Sequence, residues 1–222
     1  MIRLALSLFA LLATAAAAEP DSPHLPSVLV NSTDAMRSGY GGRRALEVVH
    51  QSARCIVSRA RSASENLMAA VPGTRAEART LWGPIASRLD QCAGMGVYVS
   101  NMVLRGALAE ALYESAFSSS PQAAPTATVE PMQWSAENGS AATLAPLYEL
   151  GRCVVAGNAG LVRRLLETEP FSQGERDTLR ELRPKLDPCL DAGRTYSINR
   201  ESLRAVLAES LYRWASAQRS GR

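Results

Sequence analysis

The chain repeats itself, and that limits what it can fold into more than any other feature. Leu104-Arg105-Gly106-Ala107-Leu108-Ala109-Glu110-Ala111-Leu112-Tyr113 agrees with Leu203-Arg204-Ala205-Val206-Leu207-Ala208-Glu209-Ser210-Leu211-Tyr212 at seven of ten positions, offset by 99. Upstream, Arg54-Cys55 lies over Arg152-Cys153 at offset 98, and Asp90 and Cys92 over Asp187 and Cys189 at offset 97. Thr74, Glu77, Thr80 and Leu81 match Ser172, Glu175, Thr178 and Leu179. These matches keep one order with almost no gaps, so the expectation is a tandem duplication, with copies over 44–118 and 144–217.

Each copy reads as helical, predicting an all-α fold of two modules with three to four helices each. The first segment, Arg44 to Arg59, places Leu46, Val49, Ala53, Ile56 and Val57 at helical spacing. A shorter segment, Ala63 to Val71, stops at Pro72-Gly73. The third opens with a capping box, Thr74 to Glu77 and Ser172 to Glu175, in which hydroxyl and carboxylate each take a free backbone N–H. Pro84 and Pro184 predict a kink or break in that helix. The last helix, capped by Ser100 or Asn199, carries a narrow stripe of Leu104, Leu108, Ala111 and Leu112, recurring as Leu203, Leu207, Ser210 and Leu211. A stripe that narrow predicts packing on the helices of its own copy.

Residues 1–18 have one early charge, Arg3, an apolar run from Leu4 to Ala13, and the small residues Ala16 and Ala18, which predicts a signal peptide cleaved before Glu19. The apolar run is short of the roughly 20 residues of a spanning helix, and no later segment is apolar enough to cross a membrane. The expected location is therefore periplasmic or secreted. Four cysteines in an oxidising compartment read as disulfides, and four allow three pairings. The repeat selects one of them. Each copy holds a cysteine in its first helix and another at the end of its third, so each closes itself as Cys55–Cys92 and Cys153–Cys189. The remaining stretches are a flexible N-terminal arm (19–43), a linker rich in Pro, Ala, Ser and Thr (119–143) and a short tail (218–222).

The net charge is only +3 with no dense basic run, which weighs against nucleic acid as a partner. Lys185 is the only lysine among 24 basic residues, a compositional bias that removes arginine count as a sign of anion binding. No phosphate loop, G-x-S-x-G elbow, H-E-x-x-H or dinucleotide fingerprint occurs, so no catalytic residue, cofactor or metal site is assigned. His50 falls opposite Tyr148, so the second copy does not keep it.

The polar residues kept in both copies are the candidates for function. Arg105 lies about 20° from Leu112 around the helix, at the edge of the apolar stripe, where a charge needs a partner. Asp90, near Cys92, is the expected one, giving structural pairs Arg105–Asp90 and Arg204–Asp187. Glu110, Glu209, Tyr113 and Tyr212 are the candidate binding residues, facing one another across a cleft between copies. The expected function is a non-catalytic helical binding protein with a protein or envelope component as partner. The alternative is a small-molecule binder or hydrolase built on the paired glutamates and tyrosines.

Overall fold

The structure, a computed structural model, describes residues 41–93, 99–117, 131–134, 141–190 and 198–220. The leader, the arm up to residue 40 and much of the linker lie outside the described residues. Among those described, all regular structure is helical. Helix α1 (Gly41–Arg59) is followed by α2 (Arg61–Ala69), α3 (Arg75–Thr80), a widened turn at Leu81–Ile85, α4 (Ala86–Ala93) and α5 (Asn101–Phe117). Then come α6 (Ala141–Leu166), α7 (Gln173–Leu186), a 3-10 turn at Asp187–Cys189 and α8 (Arg200–Ser220). Arg43 and Gln218 therefore belong to helices rather than to the arm and tail.

Local backbone features recur 98 residues apart. The break between α1 and α2 sits at Ala60 (φ −145°, ψ 49°), and α6 is kinked at Asn158 (φ −142°, ψ 33°). Gly73 turns the chain with φ 78°, and Phe171 does so with φ 62°. The Thr74 hydroxyl accepts from the Glu77 N–H at 3.3 Å, and the Glu77 carboxylate accepts from the Gly73 N–H at 2.6 Å. Ser172 and Glu175 make the same pair of bonds at 3.0 and 2.7 Å, the second from the Phe171 N–H. Pro84 falls in the widened turn between α3 and α4, where the missing N–H and the ring disturb the α ladder. Pro184 sits in the last turn of α7, before the 3-10 segment.

Both expected disulfides are present, Cys55–Cys92 tying α1 to α4 and Cys153–Cys189 tying α6 to the 3-10 turn, with Cα separations of 5.8 and 5.7 Å. Loops of this length are worth about 4 kcal/mol each on the chain-entropy estimate.

One expectation changes. Helices α5 and α8 are not held by a narrow stripe alone; every residue from Val103 to Tyr113 and from Leu203 to Leu211 is buried. A helix buried all round stands at the centre of a molecule, and α5 and α8 make the most extensive helix–helix contact. Small residues off the stripe (Gly106, Ala107, Ala109, Ala205, Ala208) let the two backbones approach. A Cβ on Gly106 would lie 2.3 Å from the Ala205 Cα, and one on Gly151 of α6 would lie 2.5 Å from the Val206 side chain. Around this pair sit two apolar clusters. One joins Val49, Ile56, Leu67, Ile85, Leu108 and Leu112; the other joins Val154, Leu165, Leu182, Leu207 and Leu211 with Tyr113 and Phe117 of α5.

Gly106→Val should lower the unfolding free energy by about 3 kcal/mol, the upper range for overpacking, because neither backbone can retreat. Gly157→Ala, which meets nothing within 4 Å, should leave stability unchanged or raise it by up to about 1 kcal/mol. Denaturant unfolding of the two variants checks both.

Candidate functional site

The polar residues that recur in the sequence meet where α5 crosses α8, and they meet in exchange. Arg105 of α5 donates through Nε and Nη2 to the Glu209 carboxylate of α8 at 2.9 and 2.6 Å. Arg204 of α8 donates in the same two-pronged way to Glu110 of α5 at 3.1 and 2.7 Å. Position i of one helix thus binds position j of the other, and the counterpart of j binds the counterpart of i, as across the two-fold axis of a symmetric dimer.

Each guanidinium is also held from its own side. Arg105 donates to Glu77 at 3.2 Å and to the Ala70 carbonyl at 3.0 Å. Arg204 donates to Glu175 at 3.2 Å and to the carbonyls of Leu165, Leu166 and Thr168 at 3.0, 3.2 and 2.9 Å. These carbonyls lie at the C-terminal ends of α2 and α6, where the last helical carbonyls lack intrahelical partners and favour a cation. A second guanidinium completes each cluster: Arg213 donates to Glu209 at 2.9 Å, and Arg200 lies 3.4 Å from Glu175. Each cluster thus sets two guanidinium groups against two buried carboxylates, and on the second side Arg200 also lies 3.8 Å from Glu201.

Burial is nearly complete, with Arg105 and Glu209 at 0% exposure, Glu110 at 2% and Arg204 at 4%. Burial alone works against the charge on Arg105, but the Glu209 carboxylate outweighs it and raises the arginine pKa. Burial pushes Glu209 up; Arg105 and then Arg213 overcome that and hold it below its ordinary value. Glu110 has one close guanidinium rather than two, and there burial prevails, leaving its pKa raised. Beside Glu110 stands His50, its Nδ1 at 3.6 Å from the carboxylate, where the other half has Tyr148. Burial, then the charges of Arg204 and Arg54, lower the His50 pKa to about 4.

The expected pairs Arg105–Asp90 and Arg204–Asp187 are therefore corrected. Asp90 and Asp187 are exposed, whereas the capping-box residues Glu77 and Glu175 are buried and reach the arginines. A buried guanidinium is stabilised by a carboxylate that shares its low-dielectric surroundings, and an aspartate on an outer surface is not so placed. Glu110 and Glu209 face the opposite half, bonded to its arginines rather than presented in an open cleft. Tyr113 stacks on Phe117 (centroids 5.6 Å), and Tyr212 meets the same ring edge-on at 6.3 Å. The tyrosines belong to an apolar cluster.

On the outer side of α1 and α5 lies an open groove of about 430 Å³ lined by Arg54, Val57, Ser58, Arg61, Ala111, Glu114 and Ser115. Arg54 grips Glu114 at 2.9 and 3.2 Å, and Arg61 bonds Glu65 at 2.9 Å and the Ser115 hydroxyl at 3.3 Å. Among the described residues no group of three or more His, Cys, Asp or Glu is placed to hold a metal ion, and no helix is long and apolar enough to cross a membrane. Comparison with known proteins finds no matching family model, and no curated sequence or solved structure with significant similarity.

His50 gives the site a pH dependence of defined sign. Its folded pKa of about 4 is below the ordinary 6.5, so folding excludes the proton, and stability falls as pH drops through that window. Between pH 7 and pH 5 the loss should be about 2 kcal/mol, at 1.36 kcal/mol per unit. Glu110, with its raised pKa, works in the opposite sense. Comparing wild type with His50→Gln by urea unfolding at both pH values isolates the histidine: the variant should lose about 2 kcal/mol less.

Proposed function

We propose that the chain is an exported, non-catalytic binding protein, formed by tandem duplication of a helical unit whose two copies pack as an internal pseudo-dimer. Its partner is a protein or envelope component. The observation that carries this reading is the use made of three pairs of recurring charged residues. Arg105 bonds Glu209 and Glu77, and Arg204 bonds Glu110 and Glu175, where α5 meets α8. Repeated charges that close a seam serve the fold, which leaves recognition to the outer helix faces.

The exchanged ion pairs, the matched breaks at Ala60 and Asn158 and the matched left-handed turns at Gly73 and Phe171 support the duplication. Two disulfides within an all-helical chain are compatible with an oxidising compartment and with cleavage of residues 1–18 on export. The alternative, a small-molecule binder or hydrolase on the paired glutamates and tyrosines, draws no support from their geometry, since those glutamates already hold guanidinium groups. The groove between α1 and α5 is the recognition face in this reading. It is open, and charged and hydroxyl side chains share its lining with Val57 and Ala111.

The test is photocrosslinking in the exported fraction, with p-benzoylphenylalanine at Ser58 in the groove and, as control, at Gln173 on α7. A discrete heteroprotein adduct from Ser58 alone, on a chain that begins at Glu19, is the expected result. A chain that keeps its leader, or a groove position that captures nothing beyond the control, would overturn the reading.

A further inference from the structure

The groove between α1 and α5 has a counterpart in the second half, and the two are finished differently. Arg54-Cys55 over Arg152-Cys153 sets the register of α1 on α6, and Leu104–Tyr113 over Leu203–Tyr212 sets that of α5 on α8. By that register Val57 corresponds to Val155, Arg61 to Ala159 and Ser115 to Trp214. Val57 and Val155 are both buried, so the floor is alike on the two sides. The wall is not. Ser115 is exposed, whereas Trp214 is buried in the apolar cluster that holds Val155, with Ala159 packed against it. Where the second half has an indole, the first half has an opening of about 430 Å³.

The charged residues divide in the same way. Arg54 reaches from α1 across to Glu114 of α5. Their counterparts, Arg152 and Arg213, each pair along their own helix, with Glu149 at 2.6 Å and Glu209 at 2.9 Å. Arg61 stands where the second half has the small Ala159, and it donates to Glu65 and to the Ser115 hydroxyl. The first half therefore sets two guanidinium groups at the rim of an apolar floor formed by Val57 and Ala111. Both are held there by exposed ion pairs, which contribute little to stability.

The face of an aromatic ring carries partial negative charge, so a guanidinium over it is complementary. The chain makes that contact twice within itself: Arg200 lies 4.1 Å from the Phe171 ring centroid and Arg219 lies 4.2 Å from that of Phe117. The groove offers the apolar floor and the cations, and its lining holds no ring.

We propose that the groove seats an aromatic side chain presented by the partner protein, in the place where the second half buries its own Trp214. This rests on the groove being the recognition face and on the alignment of the two halves. It adds the chemistry of the partner, a tryptophan, tyrosine or phenylalanine on an exposed segment. The size agrees, since sites that bury a small ligand hold roughly 300–1,000 Å³. Aromatic residues are also the usual anchors of protein interfaces. An aliphatic anchor would use the floor and leave both guanidinium groups without a ring face.

The test is NMR of the ¹⁵N-labelled chain from Glu19, titrated with N-acetyl-tryptophanamide and, as aliphatic control, N-acetyl-leucinamide. The tryptophan amide should displace the Ser58 and Ser115 amide signals and bind about fivefold more tightly than the control, the discrimination of one exposed cation–π contact. Ser115→Trp should fill the groove from within. It should raise Tm by about 2–4 °C, abolish the shift at Ser58, and remove the heteroprotein adduct formed from p-benzoylphenylalanine at Ser58. Equal binding of the two amides, or shifts that miss Ser58 and Ser115, would overturn the proposal, and the titration needs no variant. An adduct that survives Ser115→Trp overturns it alone and leaves the recognition face standing. An adduct of twice the chain's mass makes a second copy the occupant and also overturns it. No adduct in the wild type removes the recognition face, and this proposal with it.

Discussion

Two guanidinium groups buried in exchange between α5 and α8 set the terms for the rest of the molecule. Arg105 and Arg204 are removed from water almost completely, and an isolated charge in that position would cost several kcal/mol. The fold offsets this with a carboxylate gripped on two oxygens from the opposite helix, a second carboxylate from a capping box, and carbonyls from the end of a helix. None of these comes from the helix that carries the arginine. The arginines therefore become satisfied only when α2, α3, α5 and α8, or α6, α7, α8 and α5, are already assembled. The ion pairs are less a source of net stability than a condition on geometry: an arrangement in which the halves meet in another register leaves charges buried and unpaired.

This condition explains other choices in the chain. Gly106 and Ala205 are small because the bidentate bonds require the helices to approach at that point. The capping-box glutamates are buried because each serves two groups, the N–H before the cap and a guanidinium from α5 or α8. The extra cations, Arg213 on one side and Arg200 on the other, occupy non-equivalent positions. A second guanidinium is present on both sides even where the residue that provides it differs.

Much of this was legible in the sequence. The agreement of Leu104–Tyr113 with Leu203–Tyr212 and the cysteine spacing led to an all-helical chain with the disulfide pairing that the structure has. Caps at Thr74 and Ser172 and a disturbance at Pro84 follow from rules that act over a few residues. Partner choice did not. Asp90 and Glu77 both recur in the sequence along with Arg105, and a helical wheel cannot say which of them is buried. Glu77 was already explained as a cap, which hid its second bond. An open cleft between α5 and α8 was expected rather than a closed contact, because the leucine stripe drew attention from the alanines and glycine on the other faces. His50 was discounted because the second half has tyrosine there, although a substituted position in a seam still lies in the seam.

The central claim is that the exchanged pairs couple the two halves, and a double-mutant cycle on Arg105→Met and Glu209→Gln measures that coupling directly. Each single change strands a buried charge and should cost roughly 3–5 kcal/mol. The double variant should be more stable than the sum of the singles predicts by more than about 1 kcal/mol, while Arg105→Met combined with Asp90→Asn should be additive. Additivity between Arg105 and Glu209, or coupling between Arg105 and Asp90, would contradict the account.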